Sequence, residues 1–279
     1  MNTARRSVFV VLAAVATILG FTTVTASAAV TTIGYDVSYP QCGKALPYSH
    51  AFGVVGVNDG LPRSTNPCLA SQLAWAWKSS GSVRSQPKAQ VYLNTANPGA
   101  VTPKVASWPS SGSTPYGTCT GTNSTACSWE YGWLRAGESA TSFAQGARTA
   151  AVDARISSYI WWLDVETTNS WQAPGQDLVA DKTSTASARN RATLEGMTAY
   201  LVGQGGRVGL YSTSYQWGQI VGTTPTTSNL AGRNSWIATG TNTLSGATSY
   251  CAKPALTPGG HVTLTQYVVS GYDRDHSCV

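Results

Sequence analysis

The sequence is short of charge. Only 11% of its 279 residues are Asp, Glu, Lys or Arg, against about 25% in an average soluble domain. No cluster of Lys and Arg stands anywhere, so nucleic-acid binding has no electrostatic footprint here. Beyond the first 28 residues no apolar run approaches the roughly 18 needed to cross a bilayer, and no membrane span is expected. There is no C-x-x-C pair, and His50, His261 and His276 fall in no H-E-x-x-H spacing. Neither a metal site nor a cofactor is therefore expected. A G-x-S-x-G elbow is missing, which argues against an α/β-hydrolase. No G-x-G-x-x-G follows the first apolar run, which removes the usual dinucleotide signal.

The place of the charges is taken by Trp, Tyr, Gly, Ser and Thr. Residues 1–28 carry Arg5 and Arg6, an apolar run from Val8 to Phe21, and Ala26-Ser27-Ala28. That order predicts a signal peptide and a secreted, extracellular mature chain of residues 29–279. Its loss removes two arginines and no acid, so the net charge falls from +6 to +4. Six cysteines follow: Cys42, Cys68, Cys119, Cys127, Cys251 and Cys278. An even number behind an export signal predicts three disulfides. Spacing favours Cys119–Cys127. Cys42–Cys68 and Cys251–Cys278 are expected from their positions beside predicted strands, with all three bridges bracing the mouth of the fold.

Short runs rich in Val, Ile, Tyr and Trp recur along the chain. They are residues 32–38, 52–57, 89–94, 159–166, 207–211, 235–238 and 262–268. Each stops at Gly, Asn, Pro or Ser, as strands do. Between them lie helical patterns: Leu69, Leu73, Ala76 and Trp77; Phe143, Ala147, Ala150 and Ala154 within residues 140–154; and Leu194, Met197 and Leu201. Alternating strands and helices over about 250 residues predict an α/β fold, a single irregular (β/α) barrel of TIM-barrel type. An open doubly wound sheet is the alternative. Residues 109–128 hold 15 Ser, Thr, Gly or Pro in 20 positions. They read as a pinned loop inside an insertion at about 101–130.

The strongest local signal is Trp161-Trp162-Leu163-Asp164-Val165-Glu166. Strand side chains alternate, so Trp162, Asp164 and Glu166 share one face. Leu163 and Val165 suit contact with helices. Asp164 and Glu166 then point inward at the strand's C-terminal end, where barrel active sites lie. Two carboxylates in one pocket repel, and burial among aromatics raises a pKa, which separates a proton donor from a carboxylate. Glycoside hydrolysis uses such a pair. The plain alternative is that they cap the helix that follows. Asp36 ends the first strand in the same way. Asp273, in Tyr272-Asp273-Arg274-Asp275, follows the last predicted strand and reads either as a second mouth acid or as a turn residue. Asp273, Asp275 and His276 together read as one polar turn rather than a metal cluster.

In order along the chain these pieces resemble the glycoside hydrolase family 25 lysozymes, N-acetylmuramidases that act on peptidoglycan. Gly34-Tyr35-Asp36-Val37-Ser38-Tyr39-Pro40-Gln41 resembles the family's first strand. Asp164-Val165-Glu166 resembles its D-x-E. Tyr211-Ser212-Thr213, Trp236-Ile237-Ala238, Gln266-Tyr267 and the Asp273 turn resemble its later strand ends. The resemblance implies a flattened eight-stranded barrel with an acid-lined groove. It implies Glu166 as general acid, Asp164 as the partner that orients the sugar N-acetyl group, and Asp36 and Asp273 as supporting acids. It also implies retention with participation of the substrate's own N-acetyl group. Tyr211, Trp236, Gln266, Trp162 and Asn94 are then expected to contact a cell-wall polysaccharide, and the protein to act as a monomer. Asn94-Thr95-Ala96-Asn97 departs from the family's Tyr-His-Phe-like stretch. Asn58-Asp59-Gly60 departs from its Lys-x-Thr-Glu-like one. The insertion and the six cysteines are further departures.

Three readings follow: a secreted glycosidase, a binding protein on the same barrel without turnover, and an interaction protein such as an inhibitor. Four acids in place favour the first. The altered strand ends and the insertion favour the others. Trp129, Trp133, Trp171 and Trp217 either stack on sugars or pack in the core.

Overall fold

The computed structural model describes residues 31–100, 107–174 and 184–279. The predicted signal peptide and the first part of the predicted insertion lie outside them. Eight strands close into a barrel: β1 (Ile33–Val37), β2 (Gly53–Gly56), β3 (Ala89–Asn94), β6 (Ile160–Asp164), β7 (Arg207–Ser212), β8 (Ser235–Ala238), β9 (Val262–Val269) and β10 (Tyr272–Ser277). Their order around the barrel is β1-β10-β9-β8-β7-β6-β3-β2. All neighbours are parallel except β10, which runs antiparallel to both β9 and β1. The fold is therefore the irregular α/β barrel the pattern predicts, with a reversed closing strand.

Alternation sorts the strand residues into two cores. Val55, Val91, Leu93, Trp161, Leu163 and Leu210 face outward onto Leu73, Phe143, Leu194, Met197 and Leu201 of the helices. Phe52, Val54, Trp162, Tyr211, Trp236 and Leu264 fill the barrel axis. Trp161 is fully buried and meets Phe143 edge to face with centroids 4.8 Å apart. Truncating such a side chain typically costs about 3–5 kcal/mol.

The helices are α1 (Leu69–Trp77), α2 (Thr125–Thr149), α3 (Ala186–Gly203), α4 (Ser214–Ile220) and α5 (Leu244–Ser249). Ser124, Thr185 and Thr213 cap α2, α3 and α4 by accepting backbone N–H groups. The backbones of α2 and α3 touch through glycine. A Cβ on Gly132 would lie 1.9 Å from the Thr193 carbonyl oxygen, and one on Gly196 would lie 2.0 Å from that of Trp129.

Two expectations change. The segment read as a loop at 109–128 contains a β-hairpin, β4 (Gly112–Thr114) with β5 (Gly117–Cys119), and the first turn of α2. Helix α2 thus begins at Thr125, not near Ala140. The cysteines pair as Cys42–Cys68, Cys119–Cys127 and Cys251–Cys278, with Cα atoms 5.6, 4.6 and 5.4 Å apart. They do not all brace the mouth. Because β10 is reversed, Cys278 follows its end at the base of the barrel, where its N–H bonds the carbonyl of Thr263 near the start of β9 (3.1 Å).

Candidate active site

The acids meet because of how the barrel closes. Asp36 on β1 and Asp273 on β10 are direct cross-strand partners. Since β10 runs downward, its first residues, not its last, reach the mouth. Asp164 ends β6 between Asn94 of β3 and Tyr211 of β7. Glu166 lies two residues beyond. The backbone there is held on both sides: Val165 N–H donates to the Tyr211 carbonyl (2.9 Å), and Ser212 Oγ donates to that of Val165 (2.6 Å). Trp171 Nε1 donates to the Glu166 carbonyl (2.9 Å).

Asp36, Asp164, Glu166 and Asp273 line one cleft of ≈ 300 Å³, together with Tyr92, Tyr211, Trp236 and Gln266. Among the described residues, no Arg or Lys lines it. Asp36 and Asp164 are 8% and 4% exposed, and Glu166 and Asp273 are half-buried. Burial pushes the Asp36 carboxyl well above its ordinary value, helped by Asp273 and opposed by its bond from Gln266. Asp164 is pushed well up by burial, then by Glu166 and Asp36, against the bond from Asn94. Glu166 is raised by burial and Asp273, and Asp273 by burial. Low-dielectric surroundings and like charges act in the same direction. Burial and the acids also raise the Tyr92 and Tyr211 phenols, which remain hydrogen-bond donors at neutral pH.

A relay crosses three strands. Tyr211 Oη donates to Gln266 Oε1 (2.8 Å), and Gln266 Nε2 donates to Asp36 Oδ2 (3.0 Å). A second one supports Asp164. Asn58 Oδ1 accepts the Asn94 backbone N–H (3.1 Å), and Asn94 Nδ2 donates to Asp164 Oδ2 (3.0 Å). The other oxygen, Oδ1, is buried and has no hydrogen-bond partner among the described residues.

Of the residues expected to contact substrate, Tyr211, Trp236 and Gln266 line the cleft. Asn94 stands behind Asp164 instead. Trp162 does face inward but sits deeper: its Nε1 donates to Gln90 Oε1 (2.8 Å), and it borders a separate cavity with Arg207 and Gly209 at the barrel's base. An inward direction fixes the face, not the depth. Trp217 packs in the outer core. Tyr92 was not anticipated, although it shares a strand face with Asn94. Gly56 leaves room for its ring: a Cβ there would lie 2.6 Å from Tyr92 Cζ. Asp275 was read as part of a turn; it is fully buried in β10, two residues below Asp273 on the same face. Among the described residues, no group of three His, Cys, Asp or Glu is placed to hold a metal ion.

An irregular eight-stranded barrel with an acid-lined mouth is thus the class that fold and site define. No protein-family model matches the chain, and no curated protein matches it. Solved structures do. A muramidase from Acremonium alcalophilum is 15% identical, with 88% of this chain and 93% of that one covered and a TM-score of 0.50. A muramidase from Trichobolus zukalii is 15% identical over the same shares, with a TM-score of 0.48. The bacterial lysozyme from Streptomyces coelicolor is 16% identical over 88% and 91%, with a TM-score of 0.45. The likeness to the Acremonium alcalophilum protein is one of fold.

Proposed function

We propose that the chain is a glycoside hydrolase that cleaves the glycan of peptidoglycan or a related amino-sugar polymer. The observation that carries this reading is the convergence of four acids, from β1, β10, the end of β6 and the segment just beyond it, in one cleft with no basic residue among the described residues on its walls. The muramidase character of the similar fold supports the choice of substrate.

In this reading Glu166, half-buried at the mouth and raised by burial and Asp273, keeps its proton to higher pH than an ordinary glutamate does. It gives that proton to the glycosidic oxygen as the bond from C1 breaks. Asp164, with Asn94 on Oδ2, uses Oδ1 to hold the N–H of the substrate's acetamido group. The acetamido oxygen then bonds to C1 from the opposite face. Glu166, now a carboxylate, takes a proton from water as the water attacks C1, the bond from C1 to the acetamido oxygen breaks and restores the acetamido group, and the configuration is retained. Asp273 keeps the Glu166 proton in place and, with Asp36 fixed by Gln266, stabilises positive charge at C1.

Three disulfides fit maturation in an oxidising compartment. With residues 1–28 read as an export signal, the mature protein of residues 29–279 acts outside the cell. The test is incubation of purified protein with peptidoglycan and with chitin-like polymers, followed by assay of new reducing ends. Release from peptidoglycan is expected. Tight retention on the wall with no reducing ends from any polymer would instead favour a binding protein on the same barrel.

A further inference from the structure

A second cavity, of ≈ 290 Å³, shares no lining residue with the cleft. It lies between the β4–β5 turn, α2, α3 and the segment that follows α4. Its volume is at the lower end of the ~300–1,000 Å³ usual for small-molecule sites, room for about one sugar ring.

The cavity is preformed. Glu195 of α3 ties its two outer walls together: its Oε2 accepts from Tyr116 Oη of the hairpin turn, and its Oε1 accepts from Ser228 Oγ (2.5 Å). Asn229 Nδ2 adds a bond to the Glu195 carbonyl (2.9 Å). At the base of the hairpin, the Cys119–Cys127 bridge fixes β5 to α2. A site that is already ordered loses little entropy when a ligand enters.

Its walls are flat and its charge is balanced. Pro115, Tyr116 and Trp129 offer apolar faces, and Trp129 is itself stacked on Trp133 with centroids 5.3 Å apart. Arg191 faces Glu195 at 3.8 Å, so the cavity has no net pull on an anion. Arg191 is itself held in place, its Nη1 donating to the Thr223 carbonyl (3.3 Å), and a guanidinium has five N–H groups, so others remain for an oxygen of a ligand. Glu195 is a single carboxylate with both oxygens already accepting, so paired-acid chemistry is not available here.

From these features we infer that this cavity binds one pyranose unit of a neutral polysaccharide. The ring lies on the Trp129 and Tyr116 side, and Arg191 donates to an oxygen of a ring substituent. The choice of polymer rests on the reading of the cleft; the binding site itself does not.

The test is NMR on the full mature chain carrying Glu166→Gln, so that no probe is cleaved. Chitotetraose and cellotetraose are the probes. Saturable shifts are expected at the Trp129 indole and at Arg191 Nε–H, separate from those of Trp236 in the cleft. Arg191→Leu and Tyr116→Ala should each weaken the Trp129 response by about tenfold or more and leave the Trp236 response in place. Trp129 and Arg191 resonances that stay still up to millimolar amounts of both sugars, or a Trp129 response that survives Arg191→Leu, would overturn the inference. Shifts at Trp129 with none at Trp236, together with no reducing ends released from peptidoglycan by the unaltered protein, would sink the reading of the cleft and leave this site standing.

Discussion

Asp275→Asn should make the protein more stable at neutral pH and not at acidic pH. Asp275 is fully buried below Asp36 and Asp273. Burial raises its carboxyl well above the ordinary value of 3.8, then Asp36 and Asp273 raise it further, while the Trp236 indole opposes them. The folded protein therefore keeps this proton to a higher pH than the unfolded chain does. Below about pH 3.8 both states are protonated, and the group contributes its full stability. As pH rises toward the folded-state value, the unfolded chain gains by ionising and stability falls. Each pH unit between the unfolded and the folded value costs ~1.4 kcal/mol of stability. Asparagine cannot ionise, so it removes that loss. Its buried amide costs about 1–3 kcal/mol where it lacks partners. A net gain at pH 7 is expected, and each 1 kcal/mol of it raises Tm by roughly 2–4 °C for a chain of this size. Scanning calorimetry at pH 4 and pH 7 reads both values. A Tm at pH 7 equal to or below that of the unaltered protein, or the same difference at both pH values, would refute the reasoning.

Asn94→Leu removes the donor to Asp164 Oδ2, so the Asp164 carboxyl should titrate higher and its carboxyl-carbon NMR shift should move accordingly; activity should fall about tenfold or more. Asp273→Asn removes a charge that raises Glu166, so the alkaline limb of the pH–rate profile, where the proton donor is lost, should move to lower pH. The double change Cys119→Ala with Cys127→Ala opens the bridge at the base of the hairpin; it should cost about 2–3 kcal/mol, and timed proteolysis should cut first within residues 112–119.

The inward face of Trp162-Leu163-Asp164-Val165-Glu166 was legible because Leu163 and Val165 alternate with it in a strand that buries both faces. Closure of the barrel was legible too, since only closure brings Asp36 and Asp273 together. Strand β10 was not. Its six residues, Tyr272 to Ser277, carry two acids on the inward face, so the apolar alternation that marks a strand is absent. The hairpin at 112–119 was hidden by Ser, Thr and Gly, which favour turns in isolation and here are held by one disulfide and by Tyr116 on Glu195. The bond from Asn94 to Asp164 was not legible, because strand position sets direction alone. The role of Asn94 depends on the neighbouring strand that places Asp164 beside it.

The most direct test of the cleft is the comparison of the unaltered protein with Glu166→Gln on purified peptidoglycan, by reducing ends and by mass analysis of released fragments. Glutamine keeps the shape of the side chain and cannot donate the proton. The unaltered protein should release disaccharide-containing fragments, and the variant should lose about 10²–10⁴-fold in rate with its thermal unfolding nearly unchanged. A Glu166→Gln protein that releases the same fragments at the same rate would contradict the assignment of Glu166 as proton donor.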